Sequence, residues 1–276
     1  MNSSTQLKAL IRNMSKDKKI NAQILLRNYM LERLLERISV SKYRDKFILK
    51  GGMLVAAMVG IDTRSTMDMD ATIKGQAVNK DNIENILNEI VALDIGDNVK
   101  MSLKGIEEIR DEAEYPGLRA SIQTEFDGIT NMLKLDMTTG DMIVPKEITY
   151  EFKLMFEDRI LKVKAYNIET VLAEKIETII TRSTANTRMR DYYDVYIIMT
   201  MYKDLVNDDL LNDAIIKVSE NRDTTHVLKD KTTILKEIAN NVQMQHRWER
   251  YQSKYSYAKE IQWNDIIVVL KEYIEG

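Results

Sequence analysis

Between about residues 99 and 164 the sequence alternates apolar and polar side chains, and on both sides of this stretch the spacing becomes helical. The segments VKMSLKGIEEIR, LRASIQTEF, NMLKLDMTTG and LKVKAYN carry the period of two, with turn residues such as Asp127-Gly128 and Thr139-Gly140 between them. Alternation of this kind marks strands with one packed and one wet face. Upstream, KKINAQILLRNYMLERLLERISV over residues 18–40 reads as one amphipathic helix, with Ile24, Leu31, Leu34, Leu35 and Ile38 on its apolar stripe. From about Ile168 the helical period returns. The expected fold class is therefore α+β, a mixed sheet with flanking helices followed by a helical C-terminal domain. The change of period puts a boundary near residues 150–165.

Composition removes several kinds of chemistry. The chain has no cysteine, which excludes disulfides and thiolate metal sites and suits a reducing cytoplasm. With only His226 and His246 present, histidine zinc sites and Ser-His-Asp catalysis are poor fits. A net charge of -3 gives no global signal for nucleic acid. The opening residues lack the apolar run of a secretion signal, and no stretch is long enough to span a bilayer, so no membrane partner is expected. The sixteen methionines read as flexible core filler.

The chemistry gathers in LKGGMLVAAMVGIDTRSTMDMDATIKG, residues 49–75. Gly51 and Gly52 join a strand at Phe47 to Leu49 to a short apolar helix. Glycines there let a phosphate approach backbone N–H groups at a helix start; a plain strand-to-helix turn is the competing reading. Arg64, Ser65 and Thr66 form a small basic-hydroxyl cluster ahead of MDMDATIKG, which reads as a strand. Within it Asp68 and Asp70 point to one face, and Met67, Met69 and Ala71 to the other. Two adjacent carboxylates repel, and a divalent cation such as Mg²⁺ offsets that cost naturally. A third acid, Asp136, shares a face with Met132 and Lys134, opposite Leu133, Leu135 and Met137. It can complete a three-carboxylate metal site from a neighbouring strand, or it can be the wet face of an edge strand.

The helical half carries a lysine out of pattern. In IETVLAEKIETIITR the apolar stripe runs through Ile168, Val171, Leu172, Ile176 and Ile179, and Lys175 falls near its middle. Glu174 and Glu177 fall outside the arc and are expected to face solvent. An inward lysine points to a site for anions, or to a snorkelling side chain or buried ion pair. In RMRDYYDVYIIM, Asp191 and Asp194 lie one turn apart on the face of Val195 and Ile198, so both need a cation. Lys175, Arg188 and Arg190 are the candidates. First-turn stabilisation by the helix dipole is the alternative.

Together, LKGG at 49–52, RSTMDMD at 64–70, KLD at 134–136, LAEKIETIITR at 172–182 and RDYYDVY at 190–196 resemble the AbiEii/AbiGii abortive-infection toxins. These are nucleotidyltransferases of the DNA polymerase β type. The resemblance covers about residues 20–200 and implies a polymerase β-like core at 46–165. A helical segment at 1–45 would pack on that core, and a helical domain at 166–276 would complete the active site. It implies a phage-defence toxin of a toxin-antitoxin system, moving a nucleoside monophosphate from an NTP to an RNA acceptor, with tRNA 3′ ends as the target class. Asp68, Asp70 and Asp136 would then hold Mg²⁺ or Mn²⁺, with Asp136 helping to activate the acceptor hydroxyl. Gly51 and Gly52 would lie at the triphosphate, held by Arg64, Ser65, Thr66 and Lys175, with Asp191 and Asp194 in supporting roles. An antitoxin that acts without forming a complex, a cytoplasmic location and a monomer complete the expectation. Lys229, Lys231, Arg247 and Arg250 are candidate RNA contacts or a solvated face. The same core would also serve transfer to a protein or small molecule, or a non-catalytic NTP- or RNA-binding module.

Overall fold

A computed structural model describes residues 1, 3–75, 79–109 and 117–275. The chain divides into two compact units: residues 1–141 with 147–166, and residues 142–146 with 167–276.

The first unit opens with helices α1 (Ser4–Lys18) and α2 (Ala22–Val40). The helix expected over residues 18–40 forms as α2, starting at Ala22 because residues 18–21 end α1 and cap its successor. Lys19 takes a left-handed φ of 56°, and the Asn21 side chain accepts from the Gln23 amide to start α2 afresh. Next come β1 (Phe47–Lys50), α3 (Gly51–Val59), β2 (Met69–Ile73) and α4 (Lys80–Val91). Strands β3 (Lys100–Ile109), β4 (Gly117–Phe126), β5 (Ile129–Thr138), β6 (Ile148–Lys153) and β7 (Ile160–Ala165) follow. The sequence pattern does not reveal β6, which is short and mostly exposed on its outer face.

The seven strands form one mixed sheet in the order β3-β4-β5-β2-β1-β7-β6. β2 runs parallel to β5 and antiparallel to β1, and β1 runs parallel to β7. β5 is therefore an interior strand, which removes the edge-strand reading of Asp136. The β4–β5 hairpin turns at Asp127 and Gly128, both at positive φ (45° and 77°), as a two-residue hairpin turn of the favoured twist requires. On one sheet face Leu49, Met69, Ala71, Leu135 and Met137 are buried, and Leu35 and Ile38 of α2 line a small cavity with the first three of them. The opposite face carries the polar members of the same strands.

The second unit comprises α5 (Ile168–Arg182), α6 (Met189–Tyr202), α7 (Asp208–Asn221), α8 (Thr225–Leu228), α9 (Lys231–Asn240), α10 (Val242–Lys254) and α11 (Trp263–Glu275). Asn167 caps α5 by accepting from the Thr170 amide at 2.8 Å, and its own amide donates to the Val144 carbonyl at 2.6 Å. The five-residue stretch 142–146 is thus stitched to the start of α5.

Candidate active site

The polar face of the sheet carries a row of registered side chains. Across β1, β2, β5, β4 and β3, Lys50 stands opposite Asp70, Asp70 opposite Asp136, Asp136 opposite Arg119, and Arg119 opposite Glu107. Directly opposed residues share a face and lie close enough to interact. Asp70 and Asp136 are therefore brought together, and a cation flanks them at each end.

Asp70 faces the start of α3. The Gly52 amide donates to Asp70 Oδ2 at 3.3 Å, where a carboxylate complements the unpaired N–H groups of a helix start. Gly51 has φ 63°, and a Cβ on it would lie 2.1 Å from Asp70 Oδ2. Glycine is required at this position because a carboxylate presses against the backbone. Gly52 is closed in by the next segment: a Cβ there would lie 2.9 Å from Thr66 Oγ1 and 3.0 Å from Arg64 Nη2. Thr66 Oγ1 donates to the Asp68 carbonyl at 3.0 Å, Asn28 of α2 donates to the Thr66 carbonyl at 2.9 Å, and Arg64 donates to the Ser65 carbonyl. Arg64 is only 4% exposed. Ser65 is half-buried beside it.

Asp68 sits in a bend one residue before β2 begins, so it does not share the strand geometry expected of an Asp-x-Asp pair. Its charge still reaches Arg119. The Arg119 guanidinium grips Asp136 with two parallel bonds, Nε to Oδ1 at 2.7 Å and Nη2 to Oδ2 at 2.7 Å. These bonds, with the charges of Asp136, Asp68 and Glu107, raise the Arg119 pKa above its ordinary value.

Behind the row, Asp141 accepts from Lys50 Nζ at 3.0 Å, from Thr72 Oγ1 at 2.6 Å and from Thr138 Oγ1. Thr72 also shares a hydrogen bond of 2.7 Å with the hydroxyl of the buried Tyr166, over whose ring Lys50 Nζ sits at 5.5 Å. Despite its burial, Asp141 titrates below the usual carboxylate range, because the charge of Lys50 and the two threonine hydroxyls outweigh desolvation. This one carboxylate fastens together the three strands that present Lys50, Asp70 and Asp136.

Among the described residues no three His, Cys, Asp or Glu side chains are gathered as a cation site. The donor set nonetheless suits Mg²⁺, which takes one or two protein carboxylates and fills its shell with substrate phosphates and water. Asp70 and Asp136, both half-buried and in register, supply that pair.

Sequence reasoning missed Arg119, Lys50 and Asp141. The first was within reach. Counting outward from a two-residue turn at Asp127-Gly128 lands Arg119 opposite Asp136. Lys50 and Asp141 depend on which strands are neighbours, which no local pattern encodes.

In the second unit Lys175 reaches Asp191 Oδ1 at 3.0 Å and Asp194 Oδ2 at 2.7 Å. The lysine side chain is 11% exposed and that of Asp194 is 0% exposed, so the inward lysine is a buried ion pair serving two acids. Glu177, expected at the surface, is 2% exposed and is held by Arg222, Thr181 and Thr224. The helical wheel failed because α7 and the residues after it cover that side of α5 as well. Arg247 also has an internal role, donating to the carbonyls of Thr184 and Asn186 at 2.6 and 3.1 Å. Lys229 and Arg250 are exposed, and Lys231 is half-buried.

Two solved structures share the fold. One is a candidate nucleotidyltransferase from H. pylori, at TM-score 0.53 and 15% identity over 93% of this chain and 96% of that one. The other is JHP933 from Helicobacter pylori, at TM-score 0.52 and 13% identity over 93% and 94%. At such identities the likeness is one of fold. Residues 33–267 match the family described as "Nucleotidyl transferase AbiEii toxin, Type IV TA system", and the chain belongs to that family. It is a nucleotidyltransferase of the toxin-antitoxin type. No curated protein matches the sequence. No helix among the described residues is long and apolar enough to cross a membrane.

Proposed function

We propose that the protein transfers a nucleoside monophosphate from an NTP to the 3′ hydroxyl of an RNA, with tRNA as the acceptor class. The observation that carries this reading is the in-register pair Asp70 and Asp136. The choice of tRNA rests on family resemblance. In the reaction the acceptor 3′ oxygen forms a bond to the α-phosphorus as the bond to the β-phosphate bridging oxygen breaks. Pyrophosphate leaves with that electron pair, and the hydroxyl proton passes to a carboxylate of the row.

Asp70 and Asp136, with Asp68 near them, are the residues that would hold a divalent cation, Mg²⁺ or Mn²⁺. Such an ion, when bound, neutralises phosphate charge and acidifies the acceptor hydroxyl. The chain's own residues supply positioning. Asp136 is the carboxylate assigned to the acceptor hydroxyl. Arg64, Ser65 and Thr66 keep their segment closed over Gly52, and so hold the Gly51–Gly52 backbone against Asp70 and shape the triphosphate end. Lys175, Asp191 and Asp194 act as a fixed ionic frame for the helices that carry them. We place the activity in the cytoplasm, by a monomer, opposed by an antitoxin that need not form a complex.

Purified protein incubated with total tRNA and each α-³²P-labelled NTP should place label on RNA in a Mg²⁺-dependent manner. The Asp70→Ala and Asp136→Ala variants should place none. Label on protein, or label that survives both substitutions, overturns the reading.

A further inference from the structure

The row Glu107–Arg119–Asp136–Asp70–Lys50 has two cations in different conditions. Lys50 is 12% exposed and anchored from behind by Asp141. Arg119 is 30% exposed, and its guanidinium makes two hydrogen bonds to Asp136, whose side chain is 20% exposed. A bidentate guanidinium engages both oxygens of a carboxylate, so a second cation cannot take that carboxylate in the same geometry. Arg119 also has somewhere to turn, because the exposed Glu107 lies opposite it on β3 and its charge already acts on the guanidinium.

We propose that Arg119 is the exchangeable counter-ion of the carboxylate pair: a divalent cation must displace it from Asp136, and it is thereby released toward Glu107 and incoming phosphate. Arg119 is on this account a positioning residue. It keeps Asp136 oriented while no metal is bound, and it couples metal entry to the appearance of a free guanidinium. Lys50, fixed by Asp141 and Tyr166, does not exchange. The inference rests on the assignment of Asp70 and Asp136 as cation ligands.

The test uses the full chain with Mn²⁺ alone, in the absence of NTP, its binding read by electron paramagnetic resonance. Arg119→Gln should tighten Mn²⁺ binding about tenfold, because a competing positive charge has been removed. Arg119→Lys, which keeps the charge but loses the bidentate grip, should fall between the two. In wild-type protein labelled at arginine Nε with ¹⁵N, the Arg119 resonance, assigned by its loss in Arg119→Lys, should shift and exchange faster with water as Mg²⁺ is added. This measurement stands even if Arg119→Gln does not fold. Equal Mn²⁺ affinity in wild type and variants, or a resonance that Mg²⁺ leaves unmoved while Mn²⁺ binds, overturns the inference alone. Failure of Mn²⁺ to bind any of these proteins overturns the ligand assignment as well.

Discussion

The two units each hold a cluster of aspartates answered by a long cation, and the clusters differ in nearly every physical respect. On the sheet, Asp70 and Asp136 lie in register between Lys50 and Arg119, half-buried, and Arg119 has a third of its side chain in solvent. In the helical unit Lys175 reaches both Asp191 and Asp194, with 0% of Asp194 exposed. The first cluster has two charges of each sign and water access, so its partners can change at modest cost. The second lies in a dry setting, where removal of Lys175 takes a cation from two carboxylates at once. Similar residues make a site that can trade ligands in one place and a clamp in the other.

The largest expected effect falls on the exchangeable cluster. Asp70→Ala or Asp136→Ala should lower transfer by about a thousandfold or more, because carboxylates that organise the reacting phosphate act chiefly in the transition state. Both variants should melt near the wild-type temperature, as read by circular dichroism. A large loss of stability would show that this cluster is a clamp too.

Lys175→Met tests the other side of the contrast. It should destabilise the second unit by about 3–5 kcal/mol, since two buried acids lose a shared cation. The only tryptophans, Trp248 and Trp263, both belong to that unit, so urea unfolding followed by tryptophan fluorescence isolates it. An unchanged midpoint would mean that the triad is not what holds α5 and α6.

Gly51→Ala should have an intermediate effect. The new Cβ meets Asp70 Oδ2 at 2.1 Å, and φ is 63°, so the carboxylate must move. Destabilisation of about 1–2 kcal/mol is expected. It should be accompanied by loss of transfer out of proportion to it, measured in the same labelling assay.

The smallest effect sets a baseline from a third ionic cluster, on α2. Glu32 is buried, and desolvation, only partly offset by Arg33, pushes its carboxyl from the usual 4.5 up to about 8. Between those values the folded state keeps a proton that the unfolded state releases, so stability falls as pH rises from about 4.5 to about 8. Glu32→Gln should flatten that slope in thermal melts at pH 5 and pH 8. Asp141 shifts in the opposite direction, and its contribution changes only below its ordinary value of 3.8, outside this window.

Much of this was legible in the residues. The period of two in β4 and β5, the turn at Asp127-Gly128 and the glycine start of α3 are local patterns, and each formed as read. So was the inward lysine on α5, because a charge inside an apolar stripe is a local anomaly. Three things were not legible. Helix α1, and the start of α2 at Ala22 rather than residue 18, have no proline or glycine between them to announce the boundary. Burial of Glu177 depends on what α7 brings to its side of α5. The neighbours of Asp70 depend on strand order, since β1, β2 and β5 are separated in sequence and meet only in the sheet. Local pattern gives the faces of elements; which faces meet is a long-range matter.

The stretch 142–146 belongs with the helices, although the chain returns to the sheet before α5 begins. The helical unit is therefore written in two places along the polypeptide, with β6 and β7 between them. A gene fragment starting at Asn167 would encode helices whose first cap has lost its acceptor, the Val144 carbonyl. Moving this unit into another chain would have to carry both pieces, because neither stretch of sequence alone encodes it.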